Sequence, residues 1–537
     1  MLINWQALCF ASLAVCAIAV AQTPSPPADQ LTVSAAPLWG DLVAGPYAVG
    51  FRTVEAFDLA RPWNVAHHYD GRFTPDGTGR PVQMSVWYPA LTVSGPTMRW
   101  EDYVRTSAPP EFQDLNRVVN RRSRELAEDA VPADHVSALL ASPVRARMSA
   151  PPTPGTHPVV LYFGGLNAHP NANAVLAEFL ASHGYVFVSI SLIGFSAEAP
   201  NQVRSPAGID STVRDMEFAW AELARIPDLR VDRRRWAVMG HSIGAIEAIV
   251  LAMRNDSVSA VISLDGTFGF RGETKALTDT YGYSPTHLRT PLLDIRRAEG
   301  QQNAVLDSTV VDSLRYADRT VVTVDGMHHS DFTTFAIIAD RFETPLSSSS
   351  PLNGWNRATG RKGNERVSRL ILQFLQWRVL RVPAAEAAWL SAVQPVGGVR
   401  SRHQAAAIPL PSRAETVELI RQRGVLAAQQ VLSETCAADR VETCVDEPGF
   451  NAFGYELLGD RRFSDAVAIF EINAWAHPRS TNAQDSLADG YLASHQTEAA
   501  RRALSAVIAL APTDPALDAS QRAEFTSSAS ARLRALK

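Results

Sequence analysis

The chain has 537 residues, 46% hydrophobic and 20% charged, with a formal net charge of -5 at neutral pH. That length exceeds one ordinary core, so two domains are expected, and the composition excludes a disordered or fibrous protein. No basic stripe is available to neutralise phosphates, which sets nucleic-acid binding aside.

Residues 1–21 read as an export signal. An apolar stretch from Ala7 to Val20 ends in Ala19-Val20-Ala21, a small-x-small cleavage pattern, followed by the Pro-rich Gln22 to Pro27. The stretch carries no Lys or Arg ahead of it. About 15 apolar residues fall short of the roughly 20 needed to span a bilayer, so a cleaved signal and a periplasmic or secreted protein are expected rather than an uncleaved anchor. Lipoprotein processing at Cys16 is disfavoured by Val15, where a small residue is required. Cleavage removes Cys9 and Cys16. It leaves Cys436 and Cys444, whose spacing fits no metal knuckle; in an oxidising compartment they can close a loop, the alternative being two separate thiols.

Residues 22–381 are expected to form an α/β domain. Gln83 to Tyr88 alternates like a half-buried strand, and an insert follows at about 97–152, with a helical stretch from Phe112 to Asp129 rich in Arg and Glu. From Pro158 the pattern becomes repeated strand–helix units. Val159 to Phe163, Tyr185 to Ile190, Trp236 to Met239, Ala260 to Leu264, Leu292 to Ile295 and Val321 to Val324 are apolar runs of strand length. Val175 to His183, Ser211 to Arg225, Ile243 to Arg254 and Arg366 to Leu380 have helical periodicity. Short apolar strands alternating with helices imply a mostly parallel sheet with helices on both faces, and Val321 to Val324 is its last strand.

Residues 382–446 read as a connector and helical region, Ala/Pro-rich to about Ser412 and helical from Ala414 to Glu434. Residues 447–537 repeat themselves. Pro478 and Pro512 stand 34 residues apart, and Ala466 with Ala500, Phe453 with Leu487 and Phe470 with Leu504 recur at the same spacing. Gly454 and Tyr491 take the small and aromatic slots expected in one copy. This resembles the tetratricopeptide repeat, an all-α module whose period is 34 residues. Its second copy has Ala488 where glycine is usual. The preceding helices and Ser520 to Leu536 are expected to cap it, and it serves either as a structural appendage or dimer contact, or as a groove for a protein or peptide partner.

The chemistry centres on Met239-Gly240-His241-Ser242-Ile243-Gly244. A bare Gly-x-Ser-x-Gly is a weak signal, but here it lies between an apolar strand and a small-residue helix. In that setting the turn lifts the serine hydroxyl clear of the sheet and aims helix N-terminal amides at the same space; the bland reading is a glycine-rich turn with a capping serine. A serine needs a base to take its proton. Of 13 histidines, His328 and His329 lie in a turn after Val321 to Val324, on the edge facing the nucleophile. The orienting acid is Asp265, directly after Ala260 to Leu264, or one of Asp294, Glu299 and Asp307 near the next strand. There is no His-Glu-x-x-His run, dinucleotide fingerprint or phosphate loop, so no metal or other cofactor is expected.

Four blocks, Tyr162-Phe163-Gly164-Gly165-Leu166, Gly240 to Gly244, Leu264-Asp265-Gly266-Thr267-Phe268 and Gly326 to Phe332, resemble in order and spacing those of the platelet-activating-factor acetylhydrolase family, plasma and intracellular type II. The resemblance runs from about Tyr47 to Leu380. It implies an α/β-hydrolase fold with Ser242 as nucleophile, Asp265 as acid and His329, three residues after Gly326 and three before Phe332, as base. It also implies an oxyanion hole from the backbone N–H groups of Leu166 and Ile243. The activity implied is hydrolysis of short-acyl esters or phospholipids of the platelet-activating-factor kind, against cutinase- or dienelactone-hydrolase-like action on other esters, or an inert hydrolase scaffold carrying an interaction module. The chain departs from the family at Asn167, where glycine follows the leucine, and at Gly266, where a larger residue follows the acid. It departs again in the insert, whose Arg117, Arg121, Arg122, Arg124 and Glu125 replace apolar surface helices.

Overall fold

The computed structural model describes residues 36–63, 79–92, 94–196, 199–345, 355–395, 397–407, 411–436 and 441–536. The export signal expected at residues 1–21 lies outside them. Two compact units divide between Ala406 and Ala407. No described helix is long and apolar enough to cross a membrane.

The first unit is built on one ten-stranded sheet. Its strands are β1 (Ala48–Asp58), β2 (Arg80–Ala90), β3 (Ala146–Met148), β4 (His157–Phe163), β5 (Val186–Ile190), β6 (Val231–His241), β7 (Ala260–Leu264), β8 (Leu292–Arg297), β9 (Arg319–Val324) and β10 (Val399–Gln404). They lie in the order β10-β9-β8-β7-β6-β4-β5-β2-β1-β3. β5, β4, β6, β7, β8 and β9 run parallel; β2 joins β5, and β10 joins β9, in antiparallel pairing. Continuous Val/Ile/Leu runs suit a sheet buried on both faces, and β4, β5 and β7 are buried at every residue. This is the α/β-hydrolase fold.

Two readings of the sequence change here. The alternation in β2 does not divide core from water, because all of its residues are buried. Met84, Val86 and Tyr88 belong to one core and Trp87 to the other, while Gln83 donates to Glu55 and Asn116. Nor is β9 the last strand. β10, read as connector because it holds only one buried apolar residue, Val399, covers its edge. Its Arg400, Arg402 and His403 face water, as edge strands require to discourage further pairing.

Helix α1 (Gln113–Asp129) belongs to the insert, α2 (Ala174–Ser182) follows β4, α3 (Pro206–Leu223) follows β5 and α4 (Gly244–Arg254) follows β6. The insert packs over the loop after β5: Leu115 and Val119 cluster with Ile193, and Arg122 donates to the Leu192 carbonyl at 2.8 Å and to Asn201 at 2.9 Å. It is also tied inward, since Tyr103 donates at 2.7 Å to Glu178 of α2, a buried carboxyl that burial raises to about 7. The charged insert is therefore anchored to the loop after β5 and to α2.

The second unit is all helical. Val417, Ala428 and Leu432, from helices Arg413–Arg423 and Val425–Cys436, join a core with helices Glu447–Gly459, Phe463–Ala476, Thr481–Ala493, Thr497–Leu510 and Ala519–Ala535. The helix pairs starting at Glu447 and Phe463 recur 34 residues on, at Thr481 and Thr497. Gly454 has no room for a side chain, because a Cβ there would stand 2.3 Å from the Phe470 ring. Cys436 and Cys444 each end a helix, with residues 437–440 between them outside the described set.

Candidate active site

Ser242 stands between β6 and α4 with φ +58°, in the left-handed region. A non-glycine residue there is strained, and strain of this kind collects at functional sites. The motif glycines serve close approach: a Cβ on Gly240 would lie 2.0 Å from the Gly244 carbonyl, and one on Gly244 would lie 2.3 Å from that of Phe163. Main-chain bonds lock the turn, from Ser242 N–H to Leu264 O at 3.0 Å and from Thr267 N–H to Ser242 O at 3.2 Å. The turn at Ser242 and the end of β7 thus form one piece.

Asp265 follows β7 with φ +48° and is fully buried. Its Oδ2 lies 2.5 Å from His329 Nδ1. Of the other carboxylates considered, Asp294 is occupied, accepting from Ser263 at 2.7 Å and pairing with Arg296. Glu299 accepts from the Leu306 amide, and Asp307 from that of Thr309. Burial pushes the Asp265 carboxyl up, but Arg297 and His329 outweigh it and hold it at about 2. It is ionised throughout the physiological range.

His329 opens a short turn after β9, and its ring is 4.6 Å from that of His241. The His241 Nε2 meets the His329 carbonyl at 3.0 Å. Burial, then His329, pushes His241 down to about 3, so it is a neutral wedge between the Ser242 turn and the His329 loop. His328 turns elsewhere and stacks on Trp355 at 4.1 Å. With Nδ1 engaged by a carboxylate, the tautomer assigned to His329 carries its proton on Nδ1 and leaves Nε2 as an acceptor. Among the described residues Ser242 Oγ has no hydrogen-bond partner. Such bonds often close only when substrate is present.

The loop after β4 completes the site. A Cβ on Gly165 would stand 3.6 Å from Ser242 Cβ, which places the Gly165-Leu166 peptide beside Ser242. Among the described residues neither the Leu166 nor the Ile243 amide donates to a protein acceptor. Asn167, the departure from glycine, has φ +56°, a conformation asparagine tolerates. Its side chain ties this loop to α4. The Oδ1 atom accepts from Gln202 N–H at 2.7 Å, and Gln202 Nε2 donates in turn to Glu247 of α4 at 2.6 Å. Burial raises the Glu247 carboxyl well above its usual range. The second departure is steric, since a Cβ on Gly266 would lie 2.5 Å from Ser263 Oγ.

His241, Gln202, Glu247, Arg297 and Gln302 were not singled out from the sequence. His241 was inside the motif and so within reach; the other four act across long stretches of chain. A separate cleft, lined by Arg234, Arg289, Trp377 and Arg378, opens among the segments that lead into β7 and β8, at the opposite edge of the sheet.

The strand order and the helices on both faces are those of the α/β-hydrolase fold. Residues 122–295 match the chlorophyllase family model, a span that holds Ser242 and Asp265 and ends before His329. Among solved structures the chain is similar to a ferulic acid esterase from Streptomyces cinnamoneus, at 20% identity over 65% of this chain and 93% of that one, with a TM-score of 0.44. No curated protein matches the sequence.

Proposed function

We propose that the protein is a serine carboxylic-ester hydrolase with Ser242 as nucleophile, His329 as general base and Asp265 as its acid partner. The 2.5 Å contact between Asp265 and His329, beside a Ser242 held at φ +58°, is the observation that carries this reading. Ser242 Oγ attacks the ester carbonyl carbon while His329 Nε2 takes its proton. The tetrahedral oxyanion is met by the N–H groups of Leu166 and Ile243, each worth roughly 10²–10³ in turnover. Collapse expels the alcohol, which receives the proton from His329. Water, deprotonated by the same nitrogen, then attacks the acyl-enzyme and regenerates the serine.

The substrates proposed are short-acyl esters or phospholipids of the platelet-activating-factor kind. Support comes from apolar side chains left open to water on the loops after β4 and β5, where Leu166, Phe195 and Val203 are 43%, 45% and 42% exposed. The similarity to the chlorophyllase family supports ester hydrolysis as the reaction. The recurrence of helix pairs at 34 residues supports tetratricopeptide-type repeats in the second unit, with a protein or peptide as the partner proposed for them. A p-nitrophenyl ester series, from acetate to long acyl chains, tests the activity and its acyl preference. The wild type turns over the short members and Ser242→Ala none; equal turnover by both proteins refutes the proposal.

A further inference from the structure

The carboxylate that meets His329 is also gripped from the end of β8. Arg297 donates its main-chain N–H to Asp265 Oδ1 at 3.0 Å and a guanidinium N–H to Oδ2 at 2.7 Å. The guanidinium lies over the Phe270 ring, 4.5 Å from its centroid, which fixes its plane. Five residues on, Gln302 Oε1 accepts the main-chain N–H of His329 at 2.7 Å and stands 3.5 Å from Arg297 Nη1. Gln302 and Asn303 both have left-handed backbones, at φ +49° and +58°, in a turn closed from Gly300 N–H to Ala304 O at 2.8 Å. Two consecutive strained residues make sense where they aim a side chain.

We propose that Arg297 and Gln302 are positioning residues for the acid–base pair: one fixes both oxygens of Asp265, the other fixes the main chain of His329, and one strand end carries both anchors. The proposal rests on the serine-hydrolase reading above. A buried aspartate favours its neutral form, which can neither orient the imidazole as an acceptor nor offset the charge it gains. Arg297 keeps the carboxylate ionised. The other titratable groups facing the pair are His241 from the nucleophile turn and His328 and Asp331 from the turn after β9; His241 and His328 are held neutral mainly by burial. The consequence is a carboxylate that stays ionised under acid conditions and keeps the imidazole oriented.

The test is the pH profile of kcat/KM together with the downfield proton resonance of the Asp265–His329 hydrogen bond. Arg297→Met moves the acid limb up by about one pH unit or more, because the pair then holds its proton to higher pH. Arg297→Lys keeps the charge and restores the limb while recovering only part of kcat. Gln302→Asn, which suits the left-handed backbone but falls short of His329, lowers kcat roughly tenfold at unchanged KM. The resonance persists in Ser242→Ala and moves in Arg297→Met, so this readout is independent of turnover. Wild-type limb and resonance in a folded Arg297→Met overturn the proposal, as does wild-type kcat in Gln302→Asn. A wild type inert to every ester, yet with the resonance moving as stated, removes the hydrolase reading and leaves the clamp.

Discussion

Two buried aspartates sit at neighbouring strands, and the difference between them separates the carboxylate proposed as the acid partner of His329 from a structural one. Asp294 lies within β8, its oxygens taken by Ser263 and Arg296. Asp265 lies just past the end of β7, on a left-handed residue, where one oxygen can reach a histidine from another loop. Each has its own arginine, Arg296 for one and Arg297 for the other, and successive residues of a strand point to opposite faces. Burial and ion pairing are common to both; a place past a strand's C-terminal end, within reach of a histidine, is not.

Substitution at the two positions breaks this symmetry most clearly. Asp265→Asn lowers kcat by roughly 10⁴ with the fold retained, measured by steady-state ester hydrolysis and thermal unfolding. Asp294→Asn does the reverse: it leaves Arg296 buried without its charge partner and costs about 3–5 kcal/mol of stability, read from denaturant unfolding, while the folded fraction keeps near-wild-type kcat/KM. Should Asp294→Asn abolish turnover in a folded protein, the two roles are exchanged.

Smaller effects sharpen the same contrast on the other side of the nucleophile. Gln202→Ala cuts the link between Asn167 and Glu247 and loosens the Leu166 amide, lowering kcat about tenfold, below the roughly 10²–10³ of a lost oxyanion donor; KM barely moves. Gly266→Ala forces a methyl against Ser263 and Phe268 at the base of Asp265 and costs about 1–3 kcal/mol by overpacking, measured as a lowered unfolding midpoint.

What was legible in the sequence follows from how local each signal is. Ser242 announces itself because strand, turn and helix are contiguous, and the helix pairs from Glu447 because they repeat. Asp265 and Asp294 could not be told apart from spacing, since their difference lies in partners 31 to 64 residues away. The clamp of Arg297 and Gln302 on the Asp265–His329 pair left no local trace for the same reason. β1 and β10 were missed as strands: β10 pairs through its backbone while its side chains face water, so no apolar pattern marks it.

The central claim is that the hydroxyl at position 242 is the nucleophile of the site. Incubation with a fluorophosphonate, followed by mass spectrometry of the digested protein, tests it most directly. One adduct is expected, on the peptide carrying Ser242, absent from Ser242→Ala and much slowed in Asp265→Asn. An unlabelled wild type, or an adduct that survives in Ser242→Ala, contradicts it.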